Sequence, residues 1–131
     1  QETRWPGRLE LFGDQVYLDG AHNPHAMARL IEFANSLAGK RVKVLFGALK
    51  RKDYSGMLEA LQAGLPEAEL ILTTFHYGEV VAQGDRQDLP YVADYKAYIQ
   101  EFMDQSRSDE VLFVTGSLYF IAEVRAFLLE A

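Results

Sequence analysis

Short apolar runs alternate along the chain with longer stretches whose apolar residues recur every three or four positions. The short runs read as strands and the periodic stretches as helices. Arg8–Phe12 is the first strand candidate, Gly13-Asp14 turns the chain, and Val16–Asp19 forms a second strand. Asn23 can cap the following helix, and Pro24 suits its first position, where no amide hydrogen is needed. Met27, Leu30, Ile31, Ala34 and Leu37 keep helical spacing up to Gly39. Val42–Phe46 is nearly all apolar, as expected of a strand covered on both faces. After the polar loop Gly47–Asp53, Met57, Leu58 and Leu61 mark a second helix that ends at Gly64. Leu70–Phe75 is the next strand. His76 to Leu89 has no clear period. A helix resumes near Tyr91, with Val92, Tyr95, Ile99, Phe102 and Met103 on one face. Val111–Thr115 is a further strand, Gly116-Ser117 a tight turn, and the last helix carries Phe120, Ile121, Val124, Phe127 and Leu128.

Strands and helices that alternate at intervals of roughly 25 to 40 residues imply right-handed crossovers. The expected fold is therefore α/β and Rossmann-like. It has a mostly parallel sheet of about six strands with helices on both faces, and the short first connection makes the opening strand an antiparallel edge. Residues 1–131 read as one domain without repeats or linkers. The start lacks methionine and is polar, so the expectation is a fragment of a longer protein.

Composition narrows the class. No apolar run reaches the ~18 residues of a membrane span, and no apolar core stands behind a basic tip at the start. With no cysteine there are no disulfides or thiolate metal sites, which fits a reducing cytoplasm. A net charge of -6 argues against nucleic acid or an anionic membrane as the main partner.

Three polar junctions follow three strands: Asp19 to Asn23, Gly47 to Asp53, and Thr115 to Ser117. In a parallel sheet all three lie at one edge, where open α/β folds bind ligands. Each residue there also has a plain reading. Asp19 can accept hydrogen bonds from ligand hydroxyls or from loop amides. His22 can meet an anionic intermediate or face solvent. Asn23 is a good helix cap whatever else it does, and His25 is expected to be exposed. Lys50, Arg51 and Lys52 are either a solvated run or cations for a carboxylate or phosphate. Ser117 can cap a helix or bind an anion. Metal binding has little support, since His22 and His25 lack a third ligand. Ser117 lacks the G-x-S-x-G setting of a nucleophile, and no G-x-x-x-x-G-K-[ST] phosphate loop occurs anywhere.

With these residues placed, the chain resembles the C-terminal domain of the folylpolyglutamate synthase/dihydrofolate synthase family, within the wider Mur ligase family. Four segments carry the resemblance, in order: Trp5-Pro6-Gly7-Arg8-Leu9-Glu10, Asp19-Gly20-Ala21-His22-Asn23-Pro24, Gly47-Ala48-Leu49-Lys50-Arg51-Lys52-Asp53-Tyr54, and Thr115-Gly116-Ser117-Leu118-Tyr119. The resemblance implies a ligase that uses MgATP to phosphorylate a folate or pteroate carboxylate. L-Glutamate then attacks the acyl phosphate. It also implies an upstream ATPase domain that carries the phosphate loop and the magnesium ligands, so that this domain alone is inactive. By position, Arg8 and Asp19 match ATP contacts, with Asp19 toward the ribose and Arg8 toward the phosphates. His22 matches a histidine near the acyl phosphate or glutamate and is the catalytic candidate. Asn23, Lys52 and Ser117 belong to the glutamate and acyl-phosphate side. Arg51 is a departure, because relatives often carry an acidic residue before the Lys-Asp pair, and Arg51 and Lys52 can exchange roles. Two alternatives stand beside this reading. One is a cell-wall Mur ligase domain, which tends to have tyrosine where this chain has Gly20. The other is a non-catalytic nucleotide- or partner-binding Rossmann-like module.

Overall fold

The computed structural model describes residues 7–21, 23–37 and 39–130. The described strands are β1 (Glu10–Phe12), β2 (Val16–Asp19), β3 (Arg41–Gly47), β4 (Glu69–Thr73), β5 (Tyr91–Val92) and β6 (Glu110–Gly116). The α-helices are α1 (Pro24–Asn35), α2 (Tyr54–Gly64), α3 (Tyr95–Gln105) and α4 (Leu118–Glu130). One six-stranded sheet has the order β1-β2-β6-β3-β4-β5. Only β1 and β2 pair antiparallel, through the short connection that includes Gly13; every other pair is parallel. The expected sheet, with its antiparallel edge strand, is the one observed.

Strand alternation builds a core on each face. Val44, Phe46, Leu70, Leu72, Val111 and Phe113 face α1 and α2, meeting Met27, Leu30, Leu58 and Leu61. Their neighbours Leu45, Ile71, Leu112 and Val114 face α3 and α4, meeting Ile99, Phe102, Phe120 and Val124. The central strands carry apolar residues at both parities because both faces are buried.

The structure corrects two expectations. Tyr91 and Val92 do not begin a helix; they form β5, paired with Leu72 and Thr73 of β4. An aromatic and a β-branched residue after Pro90 suit an edge strand, and the helix starts only where Asp94 caps it by accepting from the Ala97 amide (3.1 Å). Met103 is not on the buried face but 41% exposed. Tyr95, Ile99 and Phe102 use the inward stripe of α3, and Met103 is turned one further step around the helix.

The segment without a period also has a structure. Val80 bridges to Leu49, Val81 is buried and donates its amide to the Ala48 carbonyl (2.8 Å), and Gln83–Asp85 is a short 3₁₀ turn. It lies along the chain that leaves β3 and so lines the carboxyl edge.

Candidate functional site at the carboxyl edge of the sheet

The register sets the three predicted junctions side by side. Asp19 at the end of β2 pairs with Thr115 of β6, Thr115 pairs with Phe46 of β3, and Gly47 pairs with Gly116. Sheet order makes β2, β6 and β3 consecutive neighbours. Helices α1, α2 and α4 each begin within a few residues of these strand ends. Their amino termini bring unpaired amides and positive dipole ends to one edge, favouring anions.

The edge is tightly specified. Asp19 is only 6% exposed, and the buried Thr115 hydroxyl donates to the Asp19 carbonyl at 2.6 Å. The Gly20 amide donates to the Gly7 carbonyl (2.7 Å), which tethers the segment carrying the exposed Arg8 next to the Asp19 turn. The Ser117 amide donates to the Gly47 carbonyl at 2.9 Å, so β3 and β6 approach closely where they end. Gly116 makes this approach possible. Its φ is +126°, and a Cβ there would collide with the Gly47 carbonyl. A Cβ on Gly20 would drive into the Leu118 side chain, so that motif is fitted to the start of α4.

Ser117 is buried and caps α4: its hydroxyl accepts from the Tyr119 amide at 3.1 Å. Asn23 caps α1 by accepting from the Ala26 amide (2.8 Å), and Asp53 caps α2 by accepting from Gly56 (3.0 Å). Asn23 and Lys52 meet in one groove of about 270 Å³ between the starts of α1 and α2, floored by Met27 and Met57. The structure therefore brings Arg8, Asp19, Asn23, Lys52 and Ser117 to one edge, while His22, Trp5 and Pro6 lie outside the described residues. His25 is exposed on α1.

The basic run divides its work. Lys50 pairs with Asp85 at 3.7 Å, Lys52 lines the groove, and Arg51 acts on Tyr77. Sequence reasoning missed the partners beyond Lys52. Tyr77, after β4, stacks on Tyr119 with ring centroids 4.0 Å apart. His76 Nδ1 lies 2.9 Å from a Glu123 carboxylate oxygen that also accepts from Tyr95 (2.8 Å). Burial would raise the Glu123 carboxyl, but hydrogen bonds from His76 and Tyr95 hold it below its ordinary value. The only signal for this cluster was a pair of aromatic residues in an aperiodic segment.

The chain matches the Mur ligase, glutamate ligase domain over residues 7–118. It belongs to the Mur ligase family. A dihydrofolate synthase/folylpolyglutamate synthase of Bacillus subtilis (strain 168) is 34% identical over 137 residues, covering 95% of this chain and 30% of that protein. A solved bifunctional folylpolyglutamate synthase/dihydrofolate synthase from Yersinia pestis, complexed with AMPPNP and Mn ion, superposes with a TM-score of 0.82. It is 25% identical, covering 96% of this chain and 32% of that one. Another such structure, with Mn, AMPPNP and L-glutamate bound, gives 0.81 at 25% identity over 98% of this chain and 33% of that one. This Mur ligase chain thus spans about a third of the length of these relatives.

Proposed function

We propose that this chain is the C-terminal domain of a longer ATP-dependent ligase that adds L-glutamate to folate or dihydropteroate through an acyl phosphate. The observation that carries the reading is the junction of Asp19, Thr115 and the Gly47–Ser117 contact on three neighbouring strand ends, within a chain of this family. Asp19 is held where its carboxylate can accept from ribose hydroxyls, and Arg8, tethered beside it, offers a guanidinium to phosphates. His22 belongs to the same turn and is assigned to the acyl-phosphate end. Ser117, Asn23 and Lys52 are assigned to the incoming glutamate. Lys52 supplies charge for a carboxylate, and the two capping side chains present polar atoms beside helix amides.

The chemistry suits such an edge. The glutamate amine forms the C–N bond, the C–O bond to phosphate breaks, and inorganic phosphate leaves as the amine sheds a proton. What this domain contributes is orientation of the amine and stabilisation of negative charge. Magnesium does not fit the residues at hand. Among the described residues no group of three His, Cys, Asp or Glu could hold a metal, so the ion is assigned to the upstream ATPase domain. No helix among the described residues is long and apolar enough to cross a membrane, which agrees with a cytoplasmic enzyme.

The test is ATP-dependent incorporation of labelled glutamate into folate and dihydropteroate by the longer protein encoded with this chain. The reading expects glutamate-dependent release of ADP and phosphate, and no ligation by the 131 residues alone. Ligation by the 131 residues alone, or a longer protein without a phosphate loop, would overturn it.

A further inference from the structure

Beyond Lys52 the carboxyl edge continues over β4. Tyr77 lies flat against Tyr119, with ring planes at 12°, although the two are 40% and 48% exposed. Offset stacking of this kind holds two phenols that would otherwise swing freely. It also sets their hydroxyls together. The hydrogen bond with Tyr119, then partial desolvation, raises the Tyr77 hydroxyl above its ordinary value, while the Arg51 guanidinium beside it pulls the other way. Two hydroxyls and a guanidinium converge on one exposed spot.

The acids nearby are otherwise engaged. Among the described residues no carboxylate lies within ion-pair distance of Arg51, whereas Lys50 has Asp85, Arg86 has Asp88 and Arg125 has Glu10. Glu123 is held by His76 and Tyr95. A guanidinium flanked by phenol donors, with no acid opposite, is suited to a carboxylate.

We propose that Arg51, Tyr77 and Tyr119 form a binding site for the carboxylates of a γ-linked glutamyl chain, the acidic tail of the acceptor. This rests on the ligase reading above. Strand order supports a chain over a single amino acid. The edge runs from Asp19 on β2, through Ser117 after β6 and Lys52 after β3, to Tyr77 after β4. The cluster therefore lies past the residues assigned to glutamate, on the side away from those assigned to ATP. A product that gains one carboxylate per cycle needs cations beyond the reacting centre. On a chain of net charge -6, a polyanion finds them only at such a local site.

The test is a titration of the 131-residue chain with γ-linked tri-L-glutamate at fixed ionic strength, followed by amide chemical shifts. Free L-glutamate and inorganic phosphate serve as separate arms. The expected result is saturable shifts at Arg51, Tyr77 and Tyr119, with triglutamate binding about tenfold tighter than either small anion, as linked carboxylates should. Arg51→Ala should abolish the shifts. The double variant Tyr77→Phe/Tyr119→Phe, which keeps the stacked rings, should weaken binding about tenfold by removing two donors. No shift at these residues, equal binding of glutamate or phosphate, or unchanged binding by Arg51→Ala would overturn the proposal. The ligase reading is tested separately by ATP-dependent glutamate addition, so either claim can fail while the other stands.

Discussion

The two ends of the parallel strands differ in a way that volume alone would misread. The amino end has a broad hollow of about 620 Å³, bordered by Lys40, Arg41, Pro66 and Glu67. The groove at the carboxyl end holds only about 270 Å³. Yet the buried polar residues Asp19, Thr115 and Ser117 cluster at the carboxyl end, as does the glycine contact that allows no Cβ. At the amino end the polar groups are solvated, as in the Lys43–Glu110 pair at 3.9 Å and the Lys40 ammonium on the Ser108 carbonyl. A site is marked by polar groups that the fold has taken out of water and fixed, not by empty space.

Glycine substitutions should break this comparison most sharply. Gly116→Ala forces a side chain into φ +126° and against the Gly47 carbonyl, and should cost about 3 kcal/mol or more. At the amino end Gly39 also has a positive φ, of +78°, but nothing lies within 4 Å of its would-be Cβ. Gly39→Ala should therefore cost only the conformational ~1–2 kcal/mol. Thermal melts of the two variants should differ clearly; equal losses would mean that the β3–β6 contact is not tight.

Tyr95 and Tyr98 of α3 sharpen the contrast through pH. Burial raises both hydroxyls. Tyr95 is raised further by its bond to Glu123, and Tyr98, pushed up to about 12, by the charges of Glu69, Glu110 and Glu101. A raised folded value means that the folded state keeps the proton longer. The stability each contributes is full below the ordinary tyrosine value of 10.0 and is lost as pH rises beyond it. Phenylalanine at either position should flatten the alkaline loss of stability above pH 10. Only Tyr95→Phe removes a hydrogen bond to a carboxylate, so it alone should also cost about 1.5–3 kcal/mol at neutral pH.

Smaller effects test the same division. Thr115→Val removes the 2.6 Å bond to the Asp19 carbonyl and should cost about 1–2 kcal/mol. Lys43→Met, which breaks the half-solvated pair with Glu110, should change stability by less than about 0.5 kcal/mol. A larger effect at Lys43 than at Thr115 would reverse the reading of the two ends.

Much of this was legible in the residues because local signals agreed with the global pattern. Val42–Phe46 and Val111–Thr115 read as doubly covered strands, and Asn23-Pro24 and Asp53 as helix starts, and the structure uses each in that way. The side-by-side placement of Asp19, Gly47 and Ser117 followed from parallel topology alone. Two kinds of feature were hidden. Tyr91-Val92 is too short for periodicity and becomes a strand only because β4 offers it an edge. The Tyr77–Tyr119 stack joins residues 42 positions apart in the sequence, through a loop whose path depends on Val81 reaching the Ala48 carbonyl. Motif order located the turn of Asp19; only three-dimensional packing located Tyr77.

The central claim is that this edge serves ATP at β2 and glutamate at β6 and β3. It is tested most directly by steady-state kinetics of the longer ligase carrying Asp19→Ala or Ser117→Ala. The account predicts that Asp19→Ala raises the KM for ATP about tenfold or more with the glutamate KM little changed, and that Ser117→Ala does the reverse, each loss matching one or two polar contacts. Identical effects of the two variants on both substrates, or full activity in Asp19→Ala, would contradict it.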